Sequence, residues 1–152
     1  MYSSSRSKSG RTLPVRGRMV NTDHALIICD KGENRQKVVA AALKCGLSPI
    51  CCSNMEEARI LLLQNDFRVV LCSDTLPDGD FNAVLKEVRR PTTNIPVIVL
   101  SYLADWDAYL KALGVGAFDY IICPPKPAEA ERILWSALAD TVHSQQPVHA
   151  VA

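Results

Sequence analysis

The sequence predicts an α/β domain, a doubly wound parallel sheet of five strands with helices on both faces. Three observations lead there. Strand and helix signals alternate five times within about 120 of the 152 residues. Several strand signals are uninterrupted apolar runs, such as Ala25-Leu26-Ile27-Ile28-Cys29 and Val97-Ile98-Val99-Leu100, which mark strands covered on both faces. The runs end on polar or chemically distinctive residues (Asp30, Ser53, Ser73, Ser101 and Cys123), and ligand chemistry in such sheets sits at the carboxyl ends of the strands.

The elements follow in order. After Asp30 a helix is predicted from Glu33 to Lys44, with Val38, Val39, Ala42 and Leu43 on one stripe and Gly46 as its stop. Pro49-Ile50-Cys51-Cys52 reads as a short second strand. Ser53-Asn54-Met55-Glu56 has the S-x-x-E form of a capping box and opens a helix carrying Ala58, Ile60, Leu61 and Leu62. Arg68 to Cys72 is the third strand. Asp80 is placed to cap a helix through Val84, Leu85 and Val88, and Asp78 reads as a turn residue. Ile95 to Leu100 is the fourth strand, with Pro96 near its start, where a missing N–H is tolerated. A helix from Ala104 to Leu113 closes at Gly114, and Ala117 to Ile122 gives the fifth strand. Pro124-Pro125 breaks that strand, and Ala128 to Leu138 forms the last helix.

Composition narrows the function classes. A hydrophobic fraction of 48% supports one buried core, and no apolar run reaches the length of a membrane span. The basic N-terminus lacks the apolar stretch of a secretory signal, so a cytoplasmic protein is expected. Five of the 17 basic residues and none of the 16 acidic ones fall in residues 1–22, which leaves a mildly acidic domain behind a basic arm. The predicted layout is a disordered arm over 1–22, a domain over 23–140 and a flexible tail over 141–152. The arm offers only weak attraction to nucleic acid. Cys29, Cys45, Cys51, Cys52, Cys72 and Cys123 form no CxxC pair and no zinc spacing, and most sit in strand-like runs as small hydrophobes.

The ordered set of strand-end residues is similar to the receiver domain of two-component response regulators, over residues 24–140. The segment Cys72-Ser73-Asp74-Thr75-Leu76-Pro77-Asp78-Gly79 resembles that family's phosphoacceptor loop. The resemblance implies a flavodoxin-like fold with strand order 2-1-3-4-5. It also implies an acidic pair after the first strand, an acceptor Asp after the third, Thr or Ser after the fourth, and Lys-Pro after the fifth with an aromatic three residues before the Lys. Aligning Pro77 with the family's proline puts Ser73 at the acceptor position. Ser101 then takes the Thr/Ser position and Tyr120 the switch aromatic. Cys29-Asp30 replaces the acidic pair, and Cys123-Pro124 replaces Lys-Pro, with the Pro124 peptide bond expected to be cis.

These substitutions bear on chemistry. A carboxylate attacks phosphorus, acidic side chains hold the Mg²⁺ that offsets charge, and a cation pairs with the phosphoryl oxygens. Ser73 lacks a base to activate its hydroxyl. Asp30 remains as the first-strand candidate for a weakened Mg²⁺ site. Asp74 is the substitute acceptor, but strand alternation is expected to point it away from the pocket unless a bulge re-aims it. The expected function is a stand-alone atypical receiver, not an enzyme, acting in phosphorelay-type signalling or as a phosphorylation-independent protein-interaction module. Its partner would be a histidine kinase or a downstream signalling protein. One alternative is phosphoacceptance at Asp74 with Mg²⁺. Another is a thiol or metal sensor built on Cys29 and Cys123, placed at the ends of neighbouring strands. Trp106 and Tyr109, three apart on the fourth helix, suit a partner surface or ordinary helix packing.

Overall fold

The computed structural model describes residues 23–90 and 93–144. The predicted arm over 1–22 lies outside the described residues, as does the tail beyond residue 144. Five strands, β1 (His24–Ile28), β2 (Ser48–Cys52), β3 (Val69–Ser73), β4 (Val97–Ser101) and β5 (Asp119–Ile122), form one parallel sheet in the order β2-β1-β3-β4-β5. Five helices connect or follow them: α1 (Gly32–Lys44), α2 (Met55–Gln64), α3 (Phe81–Val88), α4 (Trp106–Gly114) and α5 (Pro127–Ser144). This is the doubly wound sheet that the sequence predicts, in the flavodoxin-like order that the receiver-domain resemblance implies.

Burial explains the composition of each strand. Every residue of β3 and β4 is buried, so these central strands are apolar without alternation. Residues one apart feed opposite faces. Ala25, Ile27, Val69, Leu71, Ile98, Leu100 and Ile121 pack under α1 and α5, against Val38, Ala41, Ile133 and Leu134. Leu26, Ile28, Val70, Cys72 and Val97 pack under α2 and α3, against Met55, Ala58, Val84 and Val88. Val99 and Tyr120 pack with Ala112 of α4. Burying each Leu or Ile here contributes roughly 1.5–3 kcal/mol, and removing a methylene is felt because such interiors are close-packed.

Helix ends account for the departures from the expected boundaries. The cap of α2 is Asn54, not Ser53: its side-chain oxygen accepts from the Glu57 N–H at 2.8 Å, and Glu57 Oε1 accepts from the Ser53 N–H at 3.0 Å. The Ser53 hydroxyl is engaged elsewhere, accepting from Arg35 Nη2 at 2.8 Å. The same guanidinium donates to the carbonyls of Cys29 and Cys52, tying the ends of β1 and β2 together. Asp78 is more than a turn residue. Its carboxylate accepts from the N–H groups of Met55 at 2.7 Å and Glu56 at 3.1 Å, capping α2 from a distant loop. Asp80 caps α3 as expected, accepting from the Asn82 and Ala83 N–H groups.

Asp105 caps α4, so that helix starts later than Ala104. The chain turns after α4 at Gly116, with φ +115°, and not at Gly114; a Cβ on Gly116 would run into the Arg89 guanidinium, which donates to the Val115 carbonyl at 2.8 Å. Helix α5 runs to Ser144, past the expected boundary at 141, because no Gly or Pro interrupts the chain before Pro147.

The Asp78 cap can be tested by acid. The N–H groups of Met55 and Glu56 hold its carboxyl below the ordinary value of 3.8. The folded pKa is lowered, so the stabilisation is complete above the ordinary value and is lost as pH falls through the lowered one. Asp78→Ala is expected to lower the urea midpoint at pH 7, and the gap to wild type should close on acidification. A gap independent of pH would show that the cap is not the source.

Candidate functional site

The carboxyl ends of the strands enclose a cavity of about 240 Å³. Asp30 and Lys31 come from the loop after β1 and Asn34 from the first turn of α1. Ser73, Asp74 and Thr75 come from the end of β3 and the loop beyond it. Leu100 and Tyr102 flank the end of β4, and Cys123 follows β5.

Asp74 is the best-tethered acid at this site. Its N–H donates to the Leu100 carbonyl at 2.8 Å, which carries the β3–β4 ladder one residue past Ser73. Its Oδ2 accepts a hydrogen bond from Ser101 Oγ at 2.7 Å, and its Oδ1 accepts from Thr75 Oγ1 at 3.3 Å. The Ser101 hydroxyl oxygen itself accepts from the Leu103 N–H at 3.0 Å, which leaves its proton for Asp74. The expectation that Asp74 turns away from the pocket is therefore corrected. Regular alternation ends with β3. Thr75–Leu76 pairs back on Gly79–Asp80 in a tight hairpin, and that bend lets the carboxylate reach sideways to the end of β4. Asp74 also lines a second cavity of about 290 Å³ towards Asp80, Leu103 and Tyr120, so it stands between two openings. Ser73 is buried and lines the first cavity beside it.

The other predicted residues divide. Asp30 lines the same cavity as Asp74. Mg²⁺ is commonly held through one or two carboxylates with water in the remaining positions, and this pair fits that donor set. Cys123 lines the cavity, and its bond to Pro124 is cis as expected. Burial pushes its thiol up to about 11, with Cys29 and Asp74 adding to the rise. Cys29 is buried in the core under α1 and α5 and directs its Sγ towards the Lys31 carbonyl at 3.6 Å. Cys29 and Cys123 do not follow neighbouring strands: β3 and β4 lie between β1 and β5. Among the described residues, no three His, Cys, Asp or Glu side chains gather as a metal site. Burial also raises the thiols of Cys72 and of Cys52, the latter to about 11.

Tyr120 is buried, and its hydroxyl donates to the Leu103 carbonyl at 2.9 Å. Its ring meets Tyr109 edge-on at 5.9 Å, and Tyr109 stacks on Trp106 at 5.2 Å. Trp106 is 68% exposed. Beside it a cavity of about 510 Å³ opens between α4, β5 and α5, lined also by Tyr120, Glu129 and Arg132.

Sequence reasoning missed five of the residues lining the cavity: Lys31, Asn34, Thr75, Leu100 and Tyr102. Lys31 was signalled only by following Asp30 at a strand end. Asn34 and Tyr102 are 68 positions apart, and their bond, Asn34 Nδ2 to Tyr102 Oη at 2.6 Å, has no local signature. Lys126, which follows the Pro124-Pro125 pair, is not among the residues lining the cavity.

No family model matches the chain. It is similar in sequence to the regulatory protein AtoC of Escherichia coli K12, at 32% identity over 120 residues, and to a probable transcriptional regulator, ycf27, of Cyanidium caldarium, at 31% over 116 residues. These matches cover 79% and 76% of this chain but only 26% and 46% of the relatives, so the chain spans less than half of either. Among solved structures, a response regulator from Chloroflexus aurantiacus superposes with a TM-score of 0.71 at 23% identity, covering 78% of this chain and 99% of that one. A two-component response regulator from Clostridium difficile superposes with a TM-score of 0.68 at 27% identity, covering 78% and 97%. Strand order and the comparisons agree: the chain is similar in sequence to response regulators and has the fold of their receiver domains.

Proposed function

We propose that this receiver domain serves phosphorelay-type signalling by accepting a phosphoryl group on Asp74. One observation carries the reading: the Asp74 carboxylate lies in the strand-end cavity, positioned by the Ser101 hydroxyl at 2.7 Å. In the transfer, a carboxylate oxygen of Asp74 attacks the phosphorus of a phosphohistidine or an acyl phosphate. The bond from phosphorus to the leaving nitrogen or oxygen breaks, its electron pair leaves with that atom, and an aspartyl phosphate remains. Asp30 and Asp74 would hold Mg²⁺, which when bound offsets the negative charge gathered there. Ser101 can donate its proton to an oxygen beside Asp74. The donor would be a histidine kinase, and a downstream protein would dock on the face of α4, β5 and α5 around Trp106.

A second reading, phosphorylation-independent interaction through that same face, is favoured by the neutral Cys123 after β5. The thiol-sensor reading has less support, since burial raises the Cys52, Cys72 and Cys123 thiols and a reactive cysteine needs its thiolate.

Acetyl phosphate with Mg²⁺, followed by intact mass, separates these readings. The wild type should gain one acid-labile phosphoryl group, Ser73→Ala should keep it and Asp74→Asn should lose it. Ser101→Ala should slow uptake by about 10- to 100-fold, the worth of a hydrogen bond to a charged group. No gain in the wild type, or a gain that persists in Asp74→Asn, would sink the proposal. For the thiols, a pKa of about 11 leaves roughly one thiolate in a thousand at pH 8. Iodoacetamide at pH 8 should therefore leave Cys123 of the folded protein unlabelled while the denatured chain reacts fully. Rapid native labelling at Cys123 would revive the sensor reading.

A further inference from the structure

The strand-end cavity holds two carboxylates, Asp30 and Asp74, and a phosphoryl group on Asp74 would add more negative charge. Cys123, after β5, contributes a neutral thiol. Among the residues lining the cavity, Lys31 is the single cation. Its backbone is held at the rim: the Lys31 carbonyl accepts from the Arg35 N–H at 2.9 Å, and Lys31 is the residue preceding the first turn of α1. Its side chain makes no cap bond and enters none of the ion pairs among the described residues, which involve Lys44, Arg59 and Arg68. The residue is exposed, so its ammonium keeps its hydration and its mobility until an anion arrives.

The geometry points to Lys31 as the phosphoryl-binding cation of this pocket, supplied from the loop after β1 and not from the end of β5. This rests on the Asp74 reading above and adds the group that stabilises its product. A lysine ammonium acts as a point charge on phosphate oxygens and needs no fixed fork geometry. A flexible stem rooted next to Asp30 suits that role. Lys31 would also compete with Mg²⁺, since both are cations drawn to the same two carboxylates.

That competition yields a test with opposite signs. Beryllofluoride, as a mimic of the phosphoryl group, is titrated with Mg²⁺ into wild type, Lys31→Met, Lys31→Arg and Asp74→Asn, following tryptophan fluorescence or ¹⁹F resonance. Mg²⁺ alone is titrated in parallel. Lys31→Met is expected to weaken beryllofluoride by about 10-fold or more while Mg²⁺ alone binds as well as in wild type or more tightly. Lys31→Arg should keep most of the beryllofluoride affinity. Wild-type affinity in Lys31→Met, or a parallel loss of Mg²⁺ and beryllofluoride, would overturn the assignment of Lys31 and leave Asp74 standing. Failure of the wild type to bind beryllofluoride any better than Asp74→Asn would overturn both.

Discussion

The pairing of β3 with β4 is the constraint on which the site depends. These two strands are buried on both faces, and their register sets Leu71 beside Ile98 and Ser73 beside Leu100. A slip of one residue would send each side chain to the opposite layer, moving Leu71 and Ile98 from under α1 and α5 to the α2–α3 side. The core therefore fixes the register, and the register carries beyond the last strand residue. The Asp74 N–H still bonds the Leu100 carbonyl, and that bond holds Asp74 next to Ser101. Hydrophobic packing several residues away thus positions the acid that the chemistry would use.

The sequence put Ser73 at the acceptor position, with Asp74 as a substitute turned away from the pocket, because the reading was local. Counting back from Pro77 assumes a loop of fixed length, and nothing physical fixes the length of an exposed hairpin. The ladder follows hydrogen bonds that burial enforces, and the last of them holds the Asp74 backbone beside Leu100. The elements themselves were legible because parallel strands covered on both faces need unbroken apolar runs, and the strand order followed from the resemblance. The Asp80 cap and the Gly46 stop were legible because their partners lie within a few residues. Groups that work across long sequence separations had no such signal. Asp78 caps a helix that precedes it by 23 positions, Arg35 ties two strand ends, and Asn34 finds Tyr102 across the cavity. The displaced capping box shows both effects at once, since Ser53 looked like the cap until Arg35 claimed its hydroxyl.

Charge and burial divide the strand ends into two kinds of wall. On the α1–α5 side, Cys29 and Cys123 continue the core outward as small apolar groups, and burial works against their ionisation where it is resolved, at Cys123. Across the opening, Asp30, Lys31 and Asp74 present charge to solvent. If Lys31 serves the phosphoryl group, a pocket so divided would need no lysine on its buried wall. A cation there would have to be desolvated, whereas one rooted in the exposed loop after β1 keeps its water.

The site also reaches the face between α4 and α5 through a run of hydrogen bonds and then ring contacts. Ser101 donates to Asp74 and accepts from the Leu103 N–H, the Leu103 carbonyl accepts from the Tyr120 hydroxyl, and the Tyr120 ring abuts Tyr109, which stacks on the exposed Trp106. Ser101 has one proton. A phosphoryl group on Asp74 would compete for it, and the hydroxyl could serve the new oxygen only by rotating away from its present acceptor. Rotation disturbs the oxygen that now receives the Leu103 N–H, and Leu103 is the residue whose carbonyl anchors Tyr120. The segment after β4 is therefore the first that a modified Asp74 would perturb. Contiguity alone does not make a switch. What the geometry supplies is narrower: one shared hydroxyl proton, and one residue, Leu103, bonded on its N–H to the acceptor side and on its carbonyl to the partner face.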